Sequence, residues 1–208
     1  MAPVKRRTYR STIRRGEAPQ LVIAAASKLF ATKGYLATSI EDIAAEAGVA
    51  RPTVFTAVGP KPVILREVVD QAIAGDDQAV PVAGREWWVE AVNEPDTVIA
   101  IKLLARNMTR IGQRIALIAR ALETAAGIDP DAAEVWQRYQ SQRRIGLREF
   151  AHALTTKNAS LRCDVDTMGD TLWMLQPATY LRLVVDGGWS LKRYEAWLAD
   201  LLTRLFVE

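Results

Sequence analysis

The stretch from Thr38 to Val58 constrains this chain more than any other, because it reads as two short helices joined by a tight turn. Ser39 stands where a helix needs an N-cap, and Asp42, three residues on, answers it as in a capping box. Ile40, Ile43, Ala44 and Ala47 then repeat at helical spacing and give the first helix one apolar face. Gly48 follows the last of them, where a chain leaving a helix often needs φ > 0, and Val49 can plug the turn. A second helix is expected from about Arg51, with Val54 and Val58 facing inward. Pro52 is tolerated in its first turn, where backbone N–H groups have no helical partner. Ala44 is small enough for two helices so tightly joined to cross closely. This is the layout of a helix-turn-helix, whose second helix enters a DNA major groove.

The charge distribution points the same way. From Met1 to Lys61 there are ten Lys and Arg against four Asp and Glu, a net of +6, whereas the remainder carries 17 against 20, a net of −3. The basic end coincides with the helix-turn-helix, and phosphate neutralisation supplies most non-specific DNA affinity. Residues 1–16 contribute Lys5, Arg6, Arg7, Arg10, Arg14 and Arg15 and almost nothing to bury. They read as a solvated tail, and equally as an arm that follows the DNA backbone or enters the minor groove through Arg6, Arg7 and Arg10. The two readings are compatible, since such an arm can order on binding.

Several function classes are excluded or disfavoured. Half of the 208 residues are hydrophobic, a globular composition with room for a sizeable core. No apolar run is long enough to cross a bilayer, so a cytoplasmic protein with no membrane partner is expected. Cys163 and His152 are the only cysteine and histidine. An intrachain disulfide and a Cys/His zinc cluster are therefore out, and a His-based catalytic site is disfavoured. No nucleophile–base pairing, Gly-rich phosphate loop or metal-ligand spacing is present, so the chain does not read as an enzyme and implies no cofactor or metal.

The rest of the chain carries helical periodicity between clear breaks, and no stretch alternates convincingly as a strand. The first helix is expected from Pro19 to Thr32, with Leu21, Val22, Ala25, Ala26, Leu29 and Phe30 on one side. A fourth spans about 61–74, and residues 75–96 read as an irregular linker holding Trp87 and Trp88. Helices follow over Thr97–Ala126, which Gly112 can split, from Pro130 to about Thr156, over 166–186 with a kink at Pro177, and from Ser190 onward. The expected fold is all-α with about nine helices. It divides into a basic arm (1–16), a helix-turn-helix domain (17–60) and a helical regulatory and dimerisation domain (61–208).

This order of parts resembles the TetR family of transcriptional regulators. The resemblance rests on Phe30, Gly34, Tyr35, Thr38, Ile43, Ala44, Ala47, Gly48, Val49, Phe55, Gly59, Lys61 and Leu65, and on the C-terminal run Gly188–Leu198. It implies that Thr38 and Lys61 contact phosphate, and that Ser39, Arg51, Pro52, Thr53, Phe55 and Thr56 belong to the DNA-facing surface. Arg51 suits bidentate reading of guanine; a phosphate contact is the other reading. Four positions depart from the family pattern, one of them Val58, where the family often has Phe. Phe55 replaces a Tyr that could donate a hydroxyl hydrogen bond, Ala57 replaces an aromatic or His, and Ala50 replaces a Ser-type cap. The six-charge arm is expected to compensate, so deleting residues 1–15 should weaken operator binding and flatten its salt dependence.

The resemblance further implies a two-fold homodimer reading a palindromic site. The 166–186 helix is apolar on more than one side and the final helix has a wide apolar stripe, which nominates Leu172, Leu175, Leu183, Leu198 and Leu202 for the dimer interface. Trp87, Leu104, Met108, Ile111, Tyr139, Arg143, Trp173 and Tyr180 are candidate walls of a pocket for a small, mostly apolar effector. The function so implied is a repressor released from its palindromic operator by that ligand. Two alternatives stand beside it: a helical enzyme or lipid carrier with a basic tail, and a DNA-binding dimer without an effector.

Overall fold

The computed structural model describes residues 16–78 and 80–208, so Arg6, Arg7 and Arg10 lie outside the described residues. Ten α-helices account for most of what is described: α1 (Ala18–Lys33), α2 (Ile40–Ala47), α3 (Arg51–Ala57), α4 (Lys61–Ala74), α5 (Glu86–Asn93), α6 (Thr97–Ala126), α7 (Pro130–Leu154), α8 (Val165–Leu175), α9 (Ala178–Tyr180) and α10 (Leu191–Phe206). Among the described residues the only β feature is an isolated bridge between Leu161 and Val207.

Two apolar cores share one spine. The first joins α1–α4 to the C-terminal half of α6, where Phe30, Ile43, Val54, Ile64 and Leu65 pack with Ile115, Ile118 and Leu122. The second joins the N-terminal half of α6 to α5, α7, α8 and α10, through Trp88, Ile101, Leu104, Phe150, Leu172, Tyr194, Leu198 and Leu202. At 30 residues, α6 is about 45 Å long and reaches both. Helix α4 therefore packs as part of the same core as the helix-turn-helix.

Four expectations need correction. Leu21 is exposed, because the buried face of α1 runs through Val22, Ile23, Ala25, Ala26, Leu29 and Phe30. Residues 75–96 are more ordered than a linker: a 3₁₀ turn at Val82–Gly84 leads into α5. Trp88 and Ala91 of α5 are buried at helical spacing, and Trp88 packs on Phe150 at 6.3 Å between ring centroids. Pro81, Gly84 and Pro95 crowd that short period and hide it in the sequence. Gly112 does not split α6. Its lack of a side chain admits the Tyr180 ring, whose Cδ2 would lie 2.7 Å from an added Cβ. Finally, the expected 166–186 helix breaks. Gln176 is extended (φ −117°, ψ 146°), as the residue before a proline prefers, and the chain resumes as α9 and a π-helical segment, Leu181–Asp186.

Candidate nucleic-acid interface and ligand cavity

The helix-turn-helix is built as its sequence dictates. The Ser39 hydroxyl accepts from the Asp42 N–H at 3.0 Å, and the Asp42 carboxylate accepts from the Ser39 N–H at 3.0 Å. These bonds, with Lys33 beside it, hold the Asp42 carboxyl below its ordinary pKa. Gly48 takes the left-handed conformation at φ 67°, where a side chain would be strained. Val54 is fully buried and fixes α3 against α1 and α2. Arg51, Pro52, Phe55 and Thr56 consequently face solvent on one side of α3, while Thr53 is half-buried. Ala50 provides no side-chain cap.

Arg51 is held in place from two sides. Its Nε lies 2.5 Å from Glu41 Oε1 of α2 in an ion pair, and its guanidinium lies 5.2 Å from the Phe55 ring centroid. Glu41 is a feature the sequence reading missed, although its position in the first turn of α2 was legible. The Thr56 hydroxyl stays within its own helix, 3.2 Å from the carbonyls of Pro52 and Thr53. Lys61 opens α4 with Nζ 4.1 Å from the centre of the Tyr35 ring; burial lowers its pKa. Tyr35 is buried, and burial, with Asp129 and Asp131 adding to it, pushes its hydroxyl up to about 12. Thr38 does not stand where a phosphate contact requires. It is 1% exposed and its hydroxyl donates to the Gly34 carbonyl at 2.8 Å, so it holds the α1–α2 turn together.

A cavity of about 710 Å³ opens between α4, the 76–88 segment, α6 and α7. Of the expected walls, Trp87, Leu104, Met108, Ile111, Tyr139 and Arg143 do line it. Trp173 and Tyr180 do not: Tyr180 is buried against Gly112 and Tyr194, and Trp173 lies under the Arg144 guanidinium. The sequence reading missed Trp88, Asn107 and Gln176, and the contribution of α4 through Gln71, Ile73 and Ala74. The Asn107 amide donates to the Trp87 carbonyl at 2.8 Å and so fixes α5 to α6. Arg114 closes the far end of α4, donating to the carbonyls of Ala72 at 2.7 Å and Ile73 at 3.0 Å.

The residues nominated for a dimer interface also need correction. Leu172, Leu198 and Leu202 are fully buried in the chain's own second core, and Leu175 is 9% exposed. They cannot also meet a partner. Leu183 is half-buried, Val185 in the same segment is exposed, and so is Met174 of α8.

Comparison with known proteins matches this geometry. Residues 22–72 match the family model for bacterial regulatory proteins of the tetR family. Residues 22–72 thus carry the tetR-family signature, and the chain as a whole has the fold of these regulators. Among solved structures it is similar to a protein of Mesorhizobium loti described as a TetR-family transcriptional regulator, at 17% identity and a TM-score of 0.67, covering 94% of this chain and 100% of that one. It is similar to NalD, the secondary repressor of the MexAB-OprM multidrug efflux pump in Pseudomonas aeruginosa, at 18% identity and 0.66, covering 92% and 96%. A Saccharomonospora viridis protein described as a transcriptional regulator, in complex with choline, superposes at 0.70 with 18% identity, covering 93% and 100%. No curated protein matches. Among the described residues no helix is long and apolar enough to cross a membrane.

Proposed function

We propose that this TetR-type regulator is a homodimeric repressor that reads a palindromic operator with α3 and is released by a small, mostly apolar ligand. The observation that carries the reading is the solvent-facing side of α3. Arg51, Pro52, Phe55 and Thr56 are presented there by a helix that Val54 anchors against α2, itself begun by the Ser39–Asp42 capping box. In this reading Arg51 contacts a base edge or a phosphate, Lys61 a phosphate, and the basic segment before residue 16 the backbone on either side. The 710 Å³ cavity supports an effector over a core that only dimerises. Helix α4 borders both the cavity and the helix-turn-helix core. A ligand that prefers one placement of α4 would thus shift the spacing of the two reading helices. Met174, Leu183, Val184 and Val185 are the apolar side chains at or near the surface that this reading offers to the partner subunit.

The test is selection of bound sequences from random DNA, with wild type and Arg51→Ala. A palindromic consensus supports the reading, and its absence overturns it. If Arg51 reads a base, preference relaxes at one position per half-site; a uniform loss across sequences assigns it to phosphate.

A further inference from the structure

We propose that the cavity binds a hydrophobic carboxylic acid in its ionised form, with Arg143 as the counter-ion. This rests on the reading of the cavity as the effector site and names the chemistry that site selects. Arg143 and Arg144 are adjacent on α7, and the structure separates them. Arg144 is exposed and pairs through two nitrogens with the Asp170 carboxylate, at 3.0 and 3.2 Å. Arg143 turns into the cavity wall. Its hydrogen-bond acceptors are all neutral: the Gln140 side-chain oxygen at 2.7 Å, the Trp173 carbonyl at 3.0 Å and the Gln176 carbonyl.

Among the described residues no carboxylate pairs with Arg143. A guanidinium has five N–H donors. The Nε–H and one Nη1–H of Arg143 have no protein partner among the described residues. Burial lowers its pKa, so its charge sits where water screens it poorly. The guanidinium also lies 5.2 Å from the Tyr139 ring centroid; a half-buried cation with no anionic partner still costs free energy until an anion arrives, and an arriving carboxylate finds a strong hydrogen-bond donor in place. The remaining wall nearby, Trp88, Leu104, Met108 and Leu147, is apolar and suits a hydrocarbon or aromatic body.

Aromatic walls with carboxylates would also suit a cation, and the cavity does have carboxylates. Their placement argues the other way. Asp70 pairs with Arg138 at 3.0 Å and Asp76 with Arg85 at 2.5 Å, and both carboxylates are about two-fifths exposed. Asp77 accepts from Gln20 at 3.3 Å, Glu149 is exposed, and Glu67 of α4 is half-buried with no ion-pair partner among the described residues. Four of the five lining carboxylates are thus paired, hydrogen-bonded or facing water, Glu67 is half-buried on α4, and Arg143 on α7 is a cation that no carboxylate neutralises among the described residues.

Calorimetric titration of the full-length protein with decanoate, decan-1-ol and decyltrimethylammonium, each below its micellar concentration, tests this. Wild type is expected to bind decanoate at least about tenfold tighter than the alcohol, and tighter than the ammonium. Arg143→Gln should lose the acid-over-alcohol preference while still binding the alcohol. A purely structural Arg143, capping the end of α8 through Trp173 and Gln176, would shift both affinities together and leave their ratio unchanged. Should R143Q fail to fold, Arg143→Lys keeps the charge without the planar fork and is expected to lower the ratio severalfold. No preference for the acid in wild type, tighter binding of the ammonium, or a ratio that survives substitution overturns the proposal and leaves the effector cavity standing. No binding of any of the three overturns both.

Discussion

If Arg51 reaches DNA, it must first leave Glu41, and Glu41→Gln isolates the cost. The pair is tight at 2.5 Å, but its side chains are 59% and 64% exposed. Exposed pairs contribute about 0.2–1 kcal/mol, so freeing Arg51 should tighten operator binding by about 1.4- to 5-fold. The gain should shrink as salt rises, because the pair it removes is itself screened. Stability should move the opposite way. Glu41 lies in the first turn of α2, where a carboxylate interacts favourably with the helix dipole, so E41Q should cost about 0.3–1 kcal/mol.

Glu41 would also repel phosphate directly, and a double-mutant cycle separates that term. Fluorescence anisotropy with the selected operator would compare wild type, E41Q, Arg51→Ala and the double variant. The gain from E41Q in the R51A background measures repulsion alone. A larger gain in wild type measures the release of Arg51. Equal gains in the two backgrounds would refute the view that Glu41 holds Arg51 back, and weaker binding by E41Q would refute the placement of this face on DNA.

Three further outcomes are expected. Ser39→Ala removes a formed cap and should cost about 1 kcal/mol in urea denaturation, whereas Ala50→Ser should gain less than about half of that. Pro52 has no N–H to offer, and the Thr53 N–H already donates to the Ala50 carbonyl at 2.8 Å; a gain as large as the Ser39 loss would show this accounting to be wrong. The lowered Asp42 pKa makes stability fall with acid. Its unfolded form takes up a proton first, so the contribution is full above the ordinary value of 3.8 and drains away as pH drops through the lower folded value. The acid limb of the stability–pH curve should therefore flatten in Asp42→Asn. Gly112→Ala gains about 1 kcal/mol in helix propensity but drives a Cβ to 2.7 Å from Tyr180 Cδ2 and 2.9 Å from Cγ. Overpacking of this kind costs about 1–3 kcal/mol, so net destabilisation is expected, and a more stable G112A would show that the ring yields freely.

Helix positions were legible where a single apolar face is bounded by a cap or a turn residue. Ser39, Gly48, Asp129 and Ser190 each mark a boundary that forms. Legibility failed where one signal has two physical causes. The apolar excess over 166–186 was read as two buried faces, one for a partner subunit. Instead the chain breaks at Gln176 and Pro177, and Leu172 and Tyr180 both turn into the chain's own second core. Thr38 failed for a similar reason, since a threonine ahead of a helix serves a phosphate or a carbonyl equally well, and here the Gly34 carbonyl takes its hydroxyl.

The arginine pair on α7 shows the limit most sharply. Successive residues of a helix point about 100° apart, so Arg143 and Arg144 cannot share an environment, yet their neighbours, Ser141 and Gln142 before and Ile145 and Gly146 after, do not say which of the two turns inward. What separates them is α8 and the residue after it, through contacts 26 to 33 residues further on. Asp170 of α8 draws Arg144 outward, and the carbonyls at and just beyond the end of α8 draw Arg143 inward. Gln176 completes the arrangement, with its side-chain amide donating to the Met108 carbonyl and the Tyr194 hydroxyl at 3.1 Å each. The break before Pro177 therefore does more than end a helix. It frees the Gln176 carbonyl for Arg143 and its amide for α6 and α10, so an anion that draws Arg143 toward itself would act on the junction of three helices.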